Sequence, residues 1–169
     1  MTDISLNFFY DMRIERDGDI IWEGGKTNTV TLEGQEYALD RMFGSVDQED
    51  WYIGLIGEGV VLETDTMTSH NWREIYHTSP INRVKLTLTK EEVAGRQRYA
   101  SQEIQFIVTD IQYQDGSPVA THLRGAFITT QTNKDINEGI LYGGADFANS
   151  QQLEYGDAVT VKVYLGATA

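Results

Sequence analysis

The closing stretch of the chain, "LEYGDAVTVKVYLGATA" (residues 153–169), constrains the fold more than any other. In it Val159, Val161, Val163 and Leu165 alternate with Thr160, Lys162 and Tyr164. Successive side chains of a strand point to opposite sides of a sheet. A period of two therefore places one set on a buried face and the other on a wet face. Chain ends ordinarily fray into polar residues. A regular apolar strand at this point is expected where it pairs in a sheet interior, as the last strand of a Greek-key sandwich does.

Earlier segments repeat the pattern. "FFYDMRIER" and "DIIWEGG" make an N-terminal hairpin, residues 8–24, around Asp17-Gly18, a pair that supplies the positive φ angles of a tight turn. Tyr10, Met12 and Ile14 share one face, with Ile20 and Trp22 able to pair across from them. A helix is expected over about 32–43. Thr31 caps it, Glu33 and Glu36 lie in its first turns, Arg41 lies late, and Gly44 stops it. Leu32, Leu39, Met42 and Phe43 are its expected buried face, and Gly34 makes it dependent on packing. "WYIGLIG" is apolar on both parities, which predicts a strand covered on both sides. "ETDTMTSHNW" reads as a short helix or turn. "INRVKLTLTK" sets Val84, Leu86 and Leu88 against Arg83, Lys85 and Thr87. Ile104, Phe106 and Val108 share a face of "EIQFIVTDIQY"; "DGSP" is a turn, and "LRGAFITTQ" and "GILYGGADF" are two further strands.

About eight strands and one good helix result. They follow one another without alternating helices, which disfavours a parallel α/β sheet. The expected architecture is one all-β domain over residues 1–169: an antiparallel β-sandwich, jelly-roll or Ig-like, with one or two short helices.

Composition narrows the chemistry. With 26 acidic and 13 basic side chains, the net charge of −13 repels a phosphate backbone, so no nucleic-acid partner is expected. The same charge suits solubility or docking on a basic protein surface. Cysteine is absent, which excludes a disulfide framework, a thiolate zinc site and a cysteine nucleophile. The start lacks a basic segment followed by an apolar one, and no apolar run approaches the ~20 residues of a membrane span. A soluble, unprocessed chain with no membrane partner is expected.

His70, His77 and His122 lack metal-ligand spacing and read as structural or surface residues. The carboxylate clusters are Asp47-Glu49-Asp50, Glu63-Asp65 and Glu91-Glu92; Asp47-Gln48-Glu49-Asp50 lacks the glycine and terminal glutamate of an EF-hand loop and reads as a solvated loop. "EGG", "GEG" and "YGGADF" lack phosphate-loop spacing, and the last marks a bulge or turn. No G-x-S-x-G elbow is present. These residues point to a non-enzyme with no catalytic, cofactor-binding or metal site. Trp22, Trp51 and Trp72 are large potential anchors, of which Trp51 is read as core.

The order of segments carries a resemblance. "RDGDIIWEGGKTNTVTLEGQEYALDRMFG", "WYIGLIG", "TDTMTSHNWREI", "GAFITT", "GILYGGADF" and "LEYGDAVTVKVYLGA" resemble a family of tailed-bacteriophage virion structural proteins, from about Ile14 to Ala167. The matching positions are Arg16, Asp17, Gly18 and Trp22; Asn28, Val30, Glu33 and Gly34; Trp51, Tyr52, Gly54 and Leu55; and Thr64 to Met67 with Ser69 and His70. "TLEG" departs from the family's "TNEG". "KEEVAGRQRYASQEIQF" is more charged than the family's Gly/Ser-rich loop, which implies a different contact there.

The resemblance implies a virion component, commonly a capsid decoration or cement protein. It would lie on the particle surface after assembly in the host cytoplasm. The phage major capsid protein or other virion proteins would be its partners, and a homo-oligomer, trimer or dimer, is expected. The alternative is a tail, neck or head-fibre component contacting the host surface or other virion proteins, although no fibre-like repeat is visible. A third reading is a small carbohydrate-binding or hydrolytic module, whose signature is exposed aromatics beside paired carboxylates.

Overall fold

The computed structural model describes residues 5–44, 49–110, 112–114, 117–119 and 121–168. β1 (Ser5–Arg16) and β2 (Asp19–Thr27) form the expected hairpin, with Asp17 and Gly18 at φ 52° and 89°. β3 (Thr29–Val30) leads into α1 (Leu32–Phe43) and β4 (Tyr52–Glu58). Short strands follow: β5 (Arg73–Glu74), β6 (Thr78–Ser79) and β7 (Val84–Lys85). β8 (Leu88–Val93) and β9 (Arg96–Ser101) form a second hairpin, and β10 is Ile104–Val108. β11 (Gln112–Gln114) and β12 (Ser117–Val119) pair with each other. β13 (Thr121–Thr129), β14 (Leu141–Leu153) and β15 (Ala158–Thr168) complete the chain.

These strands make an antiparallel β-sandwich. The first sheet runs β2-β1-β15-β10-β6, with β9 also beside β15 and β8 beside β9. The second runs β3-β14-β13-β4-β5, with β7 also beside β4. α1 is the one helix among the described residues. β15 lies inside its sheet, between β1 on one side and β10 and β9 on the other.

The core follows the period of two. Val159, Val161 and Val163 are fully buried beside Tyr10, Met12 and Ile14 of β1 and Ile104, Phe106 and Val108 of β10. Ile53, Leu55, Ala126 and Ile128 meet them from the second sheet. Edge-to-face rings join the two sheets to α1: Phe8 to Tyr142 at 5.0 Å, Tyr142 to Trp51 at 5.0 Å, and Trp51 to Tyr37 at 5.1 Å. Each such contact adds roughly 0.5–1.5 kcal/mol beyond area burial.

α1 starts as expected, with Thr31 Oγ1 accepting from the Gly34 N–H at 3.0 Å. Its buried face does not match the sequence reading. Leu32 and Leu39 are 52% and 56% exposed; the side chains of Met42 and Phe43 lie outside the described residues. The inward face instead includes Gly34, Tyr37, Ala38 and Arg41, spaced i, i+3, i+4 and i+7. Gly34 decides this. A Cβ there would sit 2.2 Å from the Tyr142 carbonyl oxygen, so only glycine lets the helix lie this close to β14. Gly44 caps the end in extended backbone, its N–H donating to the Asp40 carbonyl at 2.8 Å.

Two further expectations change, for "INRVKLTLTK" and for Thr160. "INRVKLTLTK" is divided between the sheets, β7 in the second and β8 in the first, with buried Leu86 between them. The charged stretch after it is the β8–β9 hairpin, turning at Ala94 and Gly95 (φ 52° and 76°). Across the ribbon Glu91 pairs with Arg98, and Glu92 accepts from the Gln97 side-chain amide at 3.2 Å. Thr160, expected on the wet face, is 2% exposed. Arg13 on β1 and Glu103 beside β10 join through two hydrogen bonds of 2.9 and 3.1 Å, and this bridge crosses β15 on the Thr160 side. Asp115 and Gly116 of the expected "DGSP" turn lie outside the described residues.

The entry to β15 is pinned by charge. Asp157, 1% exposed, accepts from Arg16 Nε and Nη2 at 2.8 Å each and from the Glu154 N–H at 2.8 Å. Burial opposes the charge, but Arg16 and that N–H outweigh it and hold the carboxyl below its usual value.

Val161→Asp should cost about 3–5 kcal/mol by burying an unpaired charge, and Lys162→Asp less than about 1 kcal/mol; urea midpoints measure both. Thr160→Val should be neutral or stabilising, because Thr160 Oγ1 is buried without a hydrogen-bond partner. Asp157→Asn should lower stability at neutral pH. The wild-type advantage is full above the unfolded aspartate value near 3.9 and fades as pH falls through the lower folded value. Melts across pH 2–7 read it.

Candidate functional site

The outer face of the second sheet is also covered, as the two-parity apolar pattern of "WYIGLIG" predicted. Ile56 of β4, Phe127 of β13 and Leu141 of β14 form a second core with Val61, Met67 and Trp72. The last three come from the turn-rich "ETDTMTSHNW" region and the segment before it. Asp65 fastens that region by accepting from the Leu62 N–H at 2.9 Å.

A buried ionic lock lies beside this second core. Glu74 accepts from Arg83 Nε at 3.0 Å and Nη2 at 2.7 Å, with both side chains at most 5% exposed. Arg83 Nη1 donates to the carbonyls of Gln131 and Asn133 at 3.1 and 3.0 Å, and the guanidinium stands 5.3 Å from the Phe127 ring centre. Gly54 of β4 makes the seat: a Cβ there would meet the Phe127 ring at 2.6 Å and Glu74 Oε1 at 2.7 Å. Lys134 adds a second tie, its Nζ donating to the Ile75 carbonyl (2.9 Å), the Tyr76 carbonyl (3.2 Å) and Thr78 Oγ1 (2.8 Å). Burial lowers the Lys134 ammonium to about 8, against the opposing pull of Glu74. Burial also pushes the Glu74 carboxyl up, and Arg83 offsets part of that rise.

Beside the lock opens a cleft of about 340 Å³. Gly57 and Glu58 of β4, Arg73 to Tyr76, Thr121 and His122 of β13, and Asn137 line it, with Met67, His70, Trp72 and Arg83. His70 stacks on Trp72 at 3.7 Å and 14°. Its Nδ1 donates to the Trp72 carbonyl at 2.8 Å, which leaves Nε2 as the acceptor of the neutral ring. Tyr76 donates its hydroxyl to the Lys134 carbonyl at 3.1 Å while 39% of the residue stays exposed. Burial, then Glu74, raises that hydroxyl's pKa. Glu58 and Arg73 face each other across the β4–β5 pairing.

The fold thus brings His70 and His122 to one cleft, while His77 lies exposed elsewhere, its carbonyl accepting from the Thr109 N–H at 3.0 Å. Glu91 pairs with Arg98, Asp50 with Lys85 at 2.8 Å, and Glu49 lies 4.0 Å from Arg41; Asp47 falls outside the described residues. Among the described residues no group of three His, Asp or Glu side chains could hold a metal ion, and no helix is long and apolar enough to cross a membrane. Trp72 is 2% exposed, and Trp22 and Trp51 pack against the core, so none of the three stands out as a surface anchor. "YGGADF" lies in β14 beside a shift in its register with β13. Glu74, Arg83, Lys134 and Tyr76 escaped the sequence reading. Their chemistry depends on partners up to 59 residues away, and no local spacing announces it.

The fold and site define an antiparallel β-sandwich with a preformed polar and aromatic cleft on its outer face. In comparisons with known proteins, no family model, no curated protein and no solved structure matches the chain.

Arg83→Met should cost about 3–5 kcal/mol, because it leaves Glu74 buried without its cation. The double variant Glu74→Leu/Arg83→Met should recover only part of the loss, since the carbonyls of Gln131 and Asn133 stay unpaired. Urea melts of the three proteins test this. Lys134 sets a pH dependence: below about 8 the ammonium is charged in both states, and the cost of burying it is complete. As pH rises from about 8 towards the unfolded value near 10.4, the folded state loses its proton first. Wild-type stability should therefore rise relative to Lys134→Met across that window.

Proposed function

We propose that this chain is a non-enzymatic structural protein of a tailed-bacteriophage virion, acting as a capsid decoration or cement protein. The observation that carries this reading is the use made of the residues behind the resemblance. Arg16 clamps Asp157, and Asp17 and Gly18 make the turn. Trp22 packs edge-on to Phe147 at 4.9 Å. Asn28 Oδ1 accepts from the Phe8 N–H, and Glu33 Oε2 accepts from the Leu141 N–H, both at 2.9 Å. Gly34 and Gly54 permit close approaches, Trp51 joins the aromatic chain, and Met67 fills the second core. Motif residues committed to shape, in a chain of net charge −13, suit a rigid module that docks on other proteins. Many weakly bound copies, each bridging neighbouring coat subunits, would strengthen a lattice through avidity.

Electron microscopy of purified particles, with and without the protein, is the test. Density at regular positions on the coat, together with loss of particle heat resistance on deletion, is the expected result. Density confined to the neck or tail would support the alternative virion role, and absence from purified particles would overturn a virion role altogether.

A further inference from the structure

We infer that the cleft beside the ionic lock is a saccharide-binding site for a neutral sugar ring, separate from any contact with the coat. The size is right: about 340 Å³ falls within the ~300–1,000 Å³ of small-molecule sites. Two rings stand fixed at its wall before any ligand arrives. The Tyr76 ring is tethered by its hydroxyl to the Lys134 carbonyl yet keeps 39% of the residue exposed. The His70 ring is held against Trp72 by stacking and by the Nδ1 hydrogen bond to the Trp72 carbonyl. A ring held in place loses little rotamer freedom on binding, so stacking is retained as affinity.

The polar groups decide the ligand class. Glu58 and Arg73 oppose each other at the lip. Behind them the charges of Glu74 and Arg83 are consumed by their own pairing. The lining therefore carries a cation for each anion and gathers no cluster of one sign to hold a phosphate, a polyanion or a metal ion. It offers instead planar hydrogen-bonding groups of both kinds: the Asn137 amide, the Glu58 carboxylate and the His70 Nε2 acceptor. Hydroxyls at successive carbons of a sugar ring both donate and accept. The apolar face of such a ring stacks on an aromatic side chain. Anions and cations satisfy only half of this set.

The inference stands independently of the virion reading and is tested on the purified full chain. Glucose, galactose, mannose and N-acetylglucosamine at millimolar concentration are the probes, with inorganic phosphate as the charged comparison, followed by saturation-transfer nuclear magnetic resonance. At least one sugar should receive saturation and phosphate should not displace it. Tyr76→Ala should weaken that sugar about tenfold, the equivalent of ~1.4 kcal/mol. Tyr76→Phe, which keeps the ring, should stay within about threefold of wild type, and the exposed Asn137→Ala should weaken binding by about threefold or more. Circular dichroism checks that each variant is folded; were Tyr76→Ala unfolded, Asn137→Ala would decide alone. No transfer to any sugar, displacement by phosphate, or binding unchanged in Asn137→Ala and folded Tyr76→Ala would overturn the inference.

Discussion

The pairing of the first strand with the last is the interaction on which the rest depends. Ser5 to Glu15 lie opposite Thr168 to Ala158 in one unbroken antiparallel register. That register sets Tyr10, Met12 and Ile14 beside Val163, Val161 and Val159, so a shift by one residue would turn one of the two apolar sets outward. It also places β15 where β10 and β9 can join its other edge. The cost is entropic, since the two ends of the chain must meet before either strand gains from the contact. Such long-range closure slows folding. The Arg16–Asp157 clamp lies at the inner end of this pairing, where the first strand turns into its hairpin and the last one begins.

The second sheet answers a different constraint. Both of its faces are covered, one by the first sheet and the other by the turn-rich segment around Met67 and Trp72. A covered outer face has no water for the polar groups of the loops that cross it. Arg83 and Lys134 replace that water, donating to Glu74, to Thr78 and to four backbone carbonyls. Buried ions are weak sources of net stability, because desolvation cancels much of their attraction. Their service here is geometric: they give segments 73–78, 83 and 131–134 one mutual arrangement, and the cleft is the space that arrangement leaves open.

The two proposals draw on different residues of one module. The motif residues on which the proposed virion role rests go into turns, caps, close approaches and core. Glu58, Tyr76 and Asn137, which line the cleft, lie outside those motif blocks, whereas His70 and Arg73 belong to one.

Alternation was legible because it is local. Val159 to Leu165, Tyr10 to Ile14 and Ile104 to Val108 each declare a strand and its inner face, and Asp17-Gly18 and Thr31 declare a turn and a cap. The two-sided burial of β4 was legible for the same reason. Parity, however, says only which residues share a face, never what lies over it. Thr160 and Arg83 both occupy the face opposite an apolar set, yet both are buried, Thr160 under the Arg13–Glu103 bridge and Arg83 under loops that begin about 50 residues later. α1 turned its leucines outward because Gly34 had to meet the Tyr142 carbonyl, a partner invisible to helical periodicity. The amino-acid sequence alone determined the strands, their inner faces and the helix ends, since these depend on neighbours within a few residues. Only the tertiary structure decided which polar side chains are buried and where the cleft opens, since both depend on groups brought together from distant parts of the chain.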